Sequence, residues 1–372
     1  MSNKEEGSVK KSGKNPIIRR FFIVGLIVCC TVLLVSGTYM LLHSLGKNSL
    51  SRHAEKTINE ELSRQLSDTV IQEEKSAPEL QEGQILVEGQ VYQYNQDILT
   101  FLFMGVDSRN GISKEKTPGE AGQADALLLV VINPRRQAVD VVAVNRDTMV
   151  DIEIYDTAGV YIGDERGQIT LQYAYGNGRE KSCELMEQAV SNLFFGIPIH
   201  GYGALDMDSI STLNDAVGGV EVTILDDMTE YRKDWVEGAK VLLSGRDALF
   251  YIRQREFQSK ELGSNIRRVE RQKQYLTLYV EKLKTKIKKD ITFPLTLYSS
   301  LEKHMVTSLT MNEITYLAGS LMGYDFSMEH TVSIPGESVM GETNEEFYVD
   351  DGALKQIVID LFYEKIDGTD IG

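Results

Sequence analysis

The sequence predicts an α/β sandwich, a sheet with helices covering it, joined to a single membrane-spanning segment. Three observations lead there. Short, nearly continuous apolar runs mark buried strands, at Ile98–Met104, Ala126–Ile132 and Val139–Val144. Patterns of helical period follow at about 179–195, 206–217 and 265–288 in the same continuous stretch, with no internal repeat, and strands mixed with helices in one unit bury their apolar faces by layering. Far upstream, 22 residues from Phe21 to Leu42 carry no charge.

Composition narrows the function classes. The chain has 372 residues, 39 basic and 55 acidic, for a formal net charge of −16, with 42% hydrophobic and 25% charged residues. That is a globular composition, which excludes wholesale disorder. Its acidity argues against nucleic acid as a partner, because a general nucleic-acid binder needs a basic face to displace counterions. Cys29 and Cys30 sit inside the apolar run, so Cys183 stands alone and no disulfide framework or cysteine-rich zinc site is available. The five histidines are scattered without a metal-ligand pair at helical spacing.

At about 1.5 Å per residue, a helix over the uncharged run crosses a hydrocarbon core roughly 30 Å thick. A cleaved signal peptide would have a shorter apolar core of about 7–15 residues, so the run reads as a retained anchor. Residues 1–20 hold six cations against Glu5 and Glu6, a net +4, which places them in the cytoplasm and leaves −20 on the outer side. The expected organisation is a cytoplasmic tail (1–20), a transmembrane helix (21–45), an extracytoplasmic stalk (46–90) and a globular domain (91–372). In the stalk, Ile58, Leu62, Leu66 and Val70 recur every four residues and suit a short amphipathic helix.

Within the globular domain, Asn133-Pro134-Arg135-Arg136 has turn chemistry and joins the second and third strands as a hairpin. Gly196 and Pro198 stop the first helix; Gly218-Gly219 stops the second before a strand-like Val220–Ile224. If Ile132 pairs with Gln137 or Ala138, Asp125 falls opposite Val144 or Asn145, at the same sheet edge as Arg146 and Asp147. If the first strand runs parallel to the third, Asp107 joins them. Two carboxylates at one strand edge suit Mg2+, which prefers hard oxygen ligands; a plain Asp–Arg ion pair closing the sheet edge is the other reading.

Residues 246–273 hold eight cations, six of them arginine, against four acids. Arginine's planar fork binds phosphate oxygens in pairs, so an anion site is one reading and a solvated helix face the other. Arg268, Arg271, Gln272, Tyr275 and Tyr279 form one helical stripe, beside an apolar stripe of Ile266, Val269, Leu276 and Val280. Arg253 and Arg255 share a face only if the chain is extended there. Ser300-Leu301-Glu302-Lys303 matches Ser-x-x-Lys without its companion motifs, no P-loop or dinucleotide glycine fingerprint occurs, and Cys183 reads as packed within its helix.

In order, the chain presents Phe103-Met104-Gly105-Val106-Asp107-Ser108-Arg109, Ala124-Asp125-Ala126 leading into Val131-Ile132-Asn133-Pro134, Asn145-Arg146-Asp147-Thr148 and Ala174-Tyr175-Gly176. Ala216-Val217-Gly218-Gly219-Val220, Leu243-Ser244-Gly245, Ala248 through Arg255 and Arg268-Val269-Glu270-Arg271-Gln272 follow. This series resembles the LytR-CpsA-Psr family of bacterial envelope proteins over roughly residues 95–290. The resemblance implies a three-layer α-β-α sandwich with a mixed central sheet and a deep apolar pocket for a polyprenyl chain. It implies a phosphotransferase that moves a glycopolymer, such as teichoic acid or capsule, from a polyprenyl-pyrophosphate carrier to peptidoglycan at the membrane of a Gram-positive-type bacterium.

On matching positions, the resemblance gives Asp107 and Asp125 to Mg2+ and gives Arg109, Arg146, Arg253, Arg255, Arg268, Arg271 and Gln272 to the pyrophosphate. Arg146, Asp147, Arg253 and Arg255 would act in the transfer itself. Phosphoryl transfer needs charge neutralisation and alignment more than a covalent nucleophile, which suits such a set. Three positions depart from the family pattern: Asn145 stands for the usual proline, Ala126 for a hydroxyl residue and Asn265 for an acid. The rival expectations are a lipid- or polymer-binding protein without turnover and with a regulatory role, and a pyrophosphate hydrolase that uses water as acceptor.

Overall fold

The structure is a computed structural model, and it describes residues 44–50, 66, 80–108, 111–112, 114–254, 265–326 and 330–366. The apolar run 21–42 and most of the stalk pattern lie outside those residues. Among the described residues, no helix is long and apolar enough to cross a membrane.

Strands β1 (Gln84–Val87) and β2 (Gln90–Tyr94) form a hairpin within and just after the stretch read as stalk. The expected trio follows as β3 (Leu99–Val106), β4 (Ala124–Asn133) and β5 (Ala138–Val144). Next come the hairpin β6 (Met149–Tyr155) and β7 (Tyr161–Gln168), a 3₁₀ segment Ile169–Tyr175 and helix α1 (Glu180–Leu193). Strand β8 (Gly201–Asp206), α2 (Met207–Ala216), β9 (Val220–Thr223), β10 (Lys240–Leu243), α3 (Gly245–Arg253) and α4 (Asn265–Lys289) continue the chain. The last part holds α5 (Phe293–Leu301), β11 (Met305–Thr307), α6 (Met311–Ser320), β12 (Thr331–Ser333), β13 (Gly336–Met340), β14 (Glu345–Val349), α7 (Asp351–Phe362) and β15 (Tyr363–Lys365).

The main sheet has six strands in the order β11-β8-β3-β4-β5-β12. It is mixed: β3 pairs parallel with β8 and β5 with β12, whereas β4 runs antiparallel to both β3 and β5. Alternation along β3 sends its residues to two cores. Leu102, Met104 and Val106 pack with Cys183, Met186 and Val190 of α1 and with Leu354, Val358 and Phe362 of α7. Leu99 and Phe101 pack on the other face with Ile132, Val139, Leu309 and the α6 residues Tyr316 and Leu317. Each such fully buried side chain contributes about 1.5–3 kcal/mol of apolar transfer free energy. A third core joins α2, β9, β10, α3 and α4 through Val220, Val222, Trp235, Ala248, Tyr251, Tyr275 and Tyr279.

Two expectations need correction. The β4–β5 hairpin pairs Ile132 with Val139 and Asn133 with Ala138. Asn133 stabilises the turn by accepting the amides of Arg135 and Arg136 at 3.0 and 3.1 Å, while Gln137 takes a positive φ of 51° before the strand resumes. The longer turn shifts the register, so Asp125 extrapolates to Arg146 and not to Val144 or Asn145. The second correction concerns α4. Its stripe of Arg271, Tyr275 and Tyr279 is buried and not a solvated face, whereas Leu276 and Val280 of the neighbouring apolar stripe are half-buried. Polar partners decide this: Tyr275 donates to Asn214 Oδ1 at 3.3 Å, and Arg271 pairs with Asp226.

Candidate functional site

The edge of the main sheet where β3 and β5 end and β4 begins gathers the first set of expected residues. Asp107 is the first residue past β3 and is exposed; its amide donates to the Gln123 carbonyl at 3.0 Å. Between Gly105, paired with Ala126, and Val106, paired with Ala124, the register slips by one residue, and that extra residue is Asp125. A bulge of this kind re-aims a side chain at the end of a ladder. Gly105 permits the close approach beside it, since a Cβ there would lie 3.1 Å from the Ala126 methyl.

Arg146, two residues beyond β5, is the hub of this edge. Its Nη1 donates to Asp125 Oδ1, its Nη2 to Gln123 Oε1 at 3.1 Å, and its Nε to Asp147 Oδ1 at 3.3 Å. The Arg146 and Asp125 side chains are 26% and 25% exposed, so the pair is open to a ligand while its partners fix the guanidinium plane. Gln168 donates to both Asp147 Oδ1, at 3.0 Å, and the Glu345 carbonyl, at 2.7 Å, and so fastens the β13–β14 hairpin to the same edge. The Phe347 amide adds a bond to the Asp147 carbonyl at 2.9 Å. Between these elements lies a cleft of about 470 Å³ lined by Gln123, Arg146, Asp147, Gln168, Leu171, Asn344 and Glu345.

The second set gathers where α3 meets α4. Arg253 is the last residue of α3 and is exposed. Arg271 is 1% exposed, donates through Nη1 to both oxygens of Asp226 at 2.8 and 2.6 Å, and donates through Nη2 to the Gln254 carbonyl. Its guanidinium lies 5.8 Å from the Tyr251 ring centre, and burial pushes the Tyr251 hydroxyl well above its ordinary pKa. Gln272 is exposed and donates to the Ile252 carbonyl at 3.1 Å. Arg268 is half-buried on the same helix. Lys273 ties α4 to the main sheet by donating to the Thr331 carbonyl of β12 at 3.1 Å. Arg109 and Arg255 lie outside the described residues, as do the Asn265 side chain's surroundings, although Asn265 itself begins α4.

Asp125, Arg146 and Asp147 thus come together, and Arg271 and Gln272 cluster at the α3 terminus. The residues that sequence reasoning missed are Gln123, Gln168 and the Asn344-Glu345 turn. Gln123 lies two positions before Asp125, just outside β4, and reaches Arg146 next to the bulge; Gln168 and Glu345 are joined to the edge only by tertiary pairing.

Oxygen-rich Mg2+ sites use one or two carboxylates plus substrate phosphates. Asp107, just past β3, and Asp125 of β4, two residues beyond the Gln123 carbonyl that accepts the Asp107 amide, are carboxylates of that kind. Among the described residues, one group of three has ligand atoms within 4.8 Å of one another, namely Asp206, Asp208 and His304. Both Asp206 oxygens are already engaged there, Oδ1 by the Ser209 amide at 2.9 Å and Oδ2 by His304 Nδ1 at 2.7 Å, so it is a hydrogen-bonded pair and not an open cage.

Several solved structures share the fold. The crystal structure of TagV from Bacillus subtilis superposes with a TM-score of 0.52 at 24% identity, over 71% of this chain and 95% of that one. TagT bound to LI-WTA gives 0.53 at 18% identity, over 71% and 89%. Among curated proteins, the polyisoprenyl-teichoic acid–peptidoglycan teichoic acid transferase TagV of Bacillus subtilis (strain 168) is 24% identical over 283 residues, 73% of this chain and 65% of that protein. The TagU transferase of Halalkalibacterium halodurans is 32% identical over 173 residues, 46% of this chain and 50% of that protein. The chain thus spans about half to two thirds of the length of these two relatives. The sequence profile of the LytR_cpsA_psr family matches residues 57–361, a span that takes in the whole main sheet, the Arg146 edge and the α3–α4 cluster, and the chain belongs to that family.

Proposed function

We propose that this protein is a membrane-anchored, extracytoplasmic phosphotransferase that moves a glycopolymer from a polyprenyl-pyrophosphate carrier to peptidoglycan. The observation that carries the reading is the Arg146 hub. It is a half-exposed guanidinium, oriented by Asp125, Gln123 and Asp147, at the rim of a polar cleft and beside a second carboxylate, Asp107. Such a fork neutralises and aligns phosphate oxygens, and that is the main demand of phosphoryl transfer. The transferase names of the family relatives support the same chemistry.

In this reading Asp107 and Asp125 hold Mg2+, which would supply further charge neutralisation at the pyrophosphate. Arg146 grips the phosphoryl group and Asp147 holds the Arg146 Nε. Arg253 and Arg268, with Arg109 and Arg255 from the segments outside the described residues, complete the anion contacts, and Gln272 fixes the α3 terminus. Arg271, which the resemblance gives to the pyrophosphate, supports this set from beneath, because its guanidinium is bound to Asp226. The packing of both sheet faces supports the three-layer α-β-α arrangement, and residues 91–372 carry the catalytic domain. The uncharged run 21–42 anchors the chain with its basic N-terminus in the cytoplasm, and the stalk lifts the domain toward peptidoglycan.

The deciding experiment measures turnover of a synthetic polyprenyl-pyrophosphoryl sugar with and without peptidoglycan oligomers. Acceptor-dependent release of polyprenyl monophosphate supports transfer. Release without acceptor indicates hydrolysis, and tight binding without release indicates a binding protein.

A further inference from the structure

A second cleft, of about 600 Å³, lies beside the one that holds Arg146, and its lining includes two tyrosines, Tyr155 and Tyr175. Three segments run from one cleft to the other. The loop before β4 lines the Arg146 cleft at Gln123 and the second cleft at residues 115–118 and Glu120. The 3₁₀ segment lines the first at Leu171 and the second at Tyr175, about 8 Å further on at roughly 2.0 Å per residue. Strand β6 begins just past Asp147 of the first cleft and ends at Tyr155 of the second.

These walls are tied to one another by hydrogen bonds. The Gly119 amide donates to the Ala174 carbonyl at 2.7 Å and the Lys116 amide to the Asn177 carbonyl at 2.9 Å, which fastens the loop to the 3₁₀ segment. Gln172 fastens that segment to β6, accepting the Glu153 amide at 2.8 Å and donating to the Glu153 carbonyl at 3.0 Å. The Tyr155 hydroxyl donates to Glu153 Oε2 at 2.6 Å, Tyr161 meets its ring in a T-shaped contact at 5.7 Å, and Lys181 Nζ lies 5.2 Å from the ring centre. Tyr175 is half-buried, packed on the main core on one side and lining the cleft on the other. A cleft whose walls are joined in advance spends little binding energy on ordering them. Beyond Tyr155, the β6–β7 turn adds three consecutive exposed apolar residues, Val160, Tyr161 and Ile162.

Charge decides which ligand fits. The acids and bases that line the second cleft are Glu115, Glu120, Lys116 and Lys181, all exposed and balanced in sign. A polyanion such as a polyol-phosphate chain gains no net attraction there. A glycan strand of neutral N-acetylated sugars, bearing short peptides with both ammonium and carboxylate groups, finds a partner for each charge. The C–H face of a sugar ring is apolar with a polar rim, as a tyrosine is, so the two pack face to face while hydroxyls and amides reach the charged groups. We propose that this second cleft binds the glycan strand of peptidoglycan with its stem peptides, an inference that deepens the transferase reading above by giving the acceptor its place. The shared walls then set the acceptor sugar beside the phosphoryl group held at Arg146.

The test is calorimetric titration of the full chain in detergent with a synthetic peptidoglycan tetrasaccharide carrying its stem peptides. A polyol-phosphate oligomer and a polyprenyl-pyrophosphoryl disaccharide are titrated separately. Tyr175→Leu, which keeps an apolar side chain on the core, and Lys181→Ala at an exposed position are each expected to weaken tetrasaccharide binding about three- to tenfold. Affinity for the polyprenyl-pyrophosphoryl donor is expected to stay within about twofold of wild type in both, because neither side chain lines the Arg146 cleft. No binding of the tetrasaccharide by the wild-type chain, or wild-type affinity in both variants, would overturn the proposal and leave the transferase reading standing. Tighter binding of the polyol-phosphate oligomer, lost in Lys181→Ala, would give the cleft to the donor's polymer and overturn it as well. Tetrasaccharide binding that the variants weaken, in a wild-type chain without acceptor-dependent release of polyprenyl monophosphate, would overturn the transferase reading and uphold the cleft as a peptidoglycan site.

Discussion

Arg146 and Asp125 are hydrogen-bonded side chain to side chain across the open end of β4 and β5, although 21 positions separate them in the chain. Asp125 reaches this position as the extra residue of a β-bulge, and Arg146 reaches it because the hairpin register carries β5 two residues past its last ladder pair. Gln123 and Asp147 occupy the remaining edges of the guanidinium, which leaves its plane fixed without burying it. Orientation without burial is what a phosphate-binding arginine requires, because the fork must be aligned before the ligand arrives.

Asp107→Ala and Asp125→Ala are each expected to abolish Mg2+-dependent turnover while the far-ultraviolet circular dichroism stays as in wild type. Chelation of divalent ions should mimic both variants in the unmodified protein. Normal Mg2+-dependent activity in either variant would remove that acid from the metal site.

Arg253→Ala is expected to weaken binding of the pyrophosphate lipid by about 1.5–3 kcal/mol, the range of a hydrogen bond to a charged group. Arg253→Lys should recover little of this, because lysine lacks the planar fork. The residue is exposed at the end of α3, so the melting temperature should hardly move. Wild-type affinity in the alanine variant, measured by titration with the donor lipid, would exclude a phosphate contact.

Arg271→Met should behave differently. Removing one member of a buried pair typically costs about 3–5 kcal/mol, and the 21% exposure of Asp226 favours the lower end of that range. A lowered urea midpoint is expected, with donor affinity falling only as far as unfolding accounts for it. An unchanged midpoint combined with lost donor affinity would return Arg271 to the pyrophosphate.

Asn265→Asp is expected to change turnover less than tenfold. A carboxylate at the first residue of α4 interacts favourably with the positive end of the helix, so stability should rise by about 0.3–1 kcal/mol. A gain in kcat approaching a hundredfold would instead show that this chain lacks its base and would favour the binding-protein reading.

Cys183 is expected to resist thiol reagents until the protein unfolds. Its side chain is fully buried in α1, and desolvation pushes the thiol pKa far above its ordinary value, so the reactive thiolate is scarce. Rapid labelling of the native chain by a disulfide reagent would contradict the packing of α1 against the sheet.

Local signals in the chain were enough for the elements and their class. Continuous apolar runs gave β3, β4 and β5, period-3.6 patterns gave α1 and α2 with their stop residues and α4 without one, and the shared edge of Asp107, Asp125 and Arg146 followed from the hairpin and from strand direction. Those features depend on residues within one or two turns or across one hairpin. Tertiary structure decided what depends on distant partners. The hairpin register turned on how Asn133 closes its turn. The inward stripe of α4 was set by Asn214 and Asp226, more than 40 residues away, because a polar side chain is buried only where a partner satisfies it. Gln168 meets the β13–β14 hairpin across 177 positions and Asp206 meets His304 across 98. Periodicity carries no trace of such pairs, since it reports which face of an element is apolar and not which element will stand beside it.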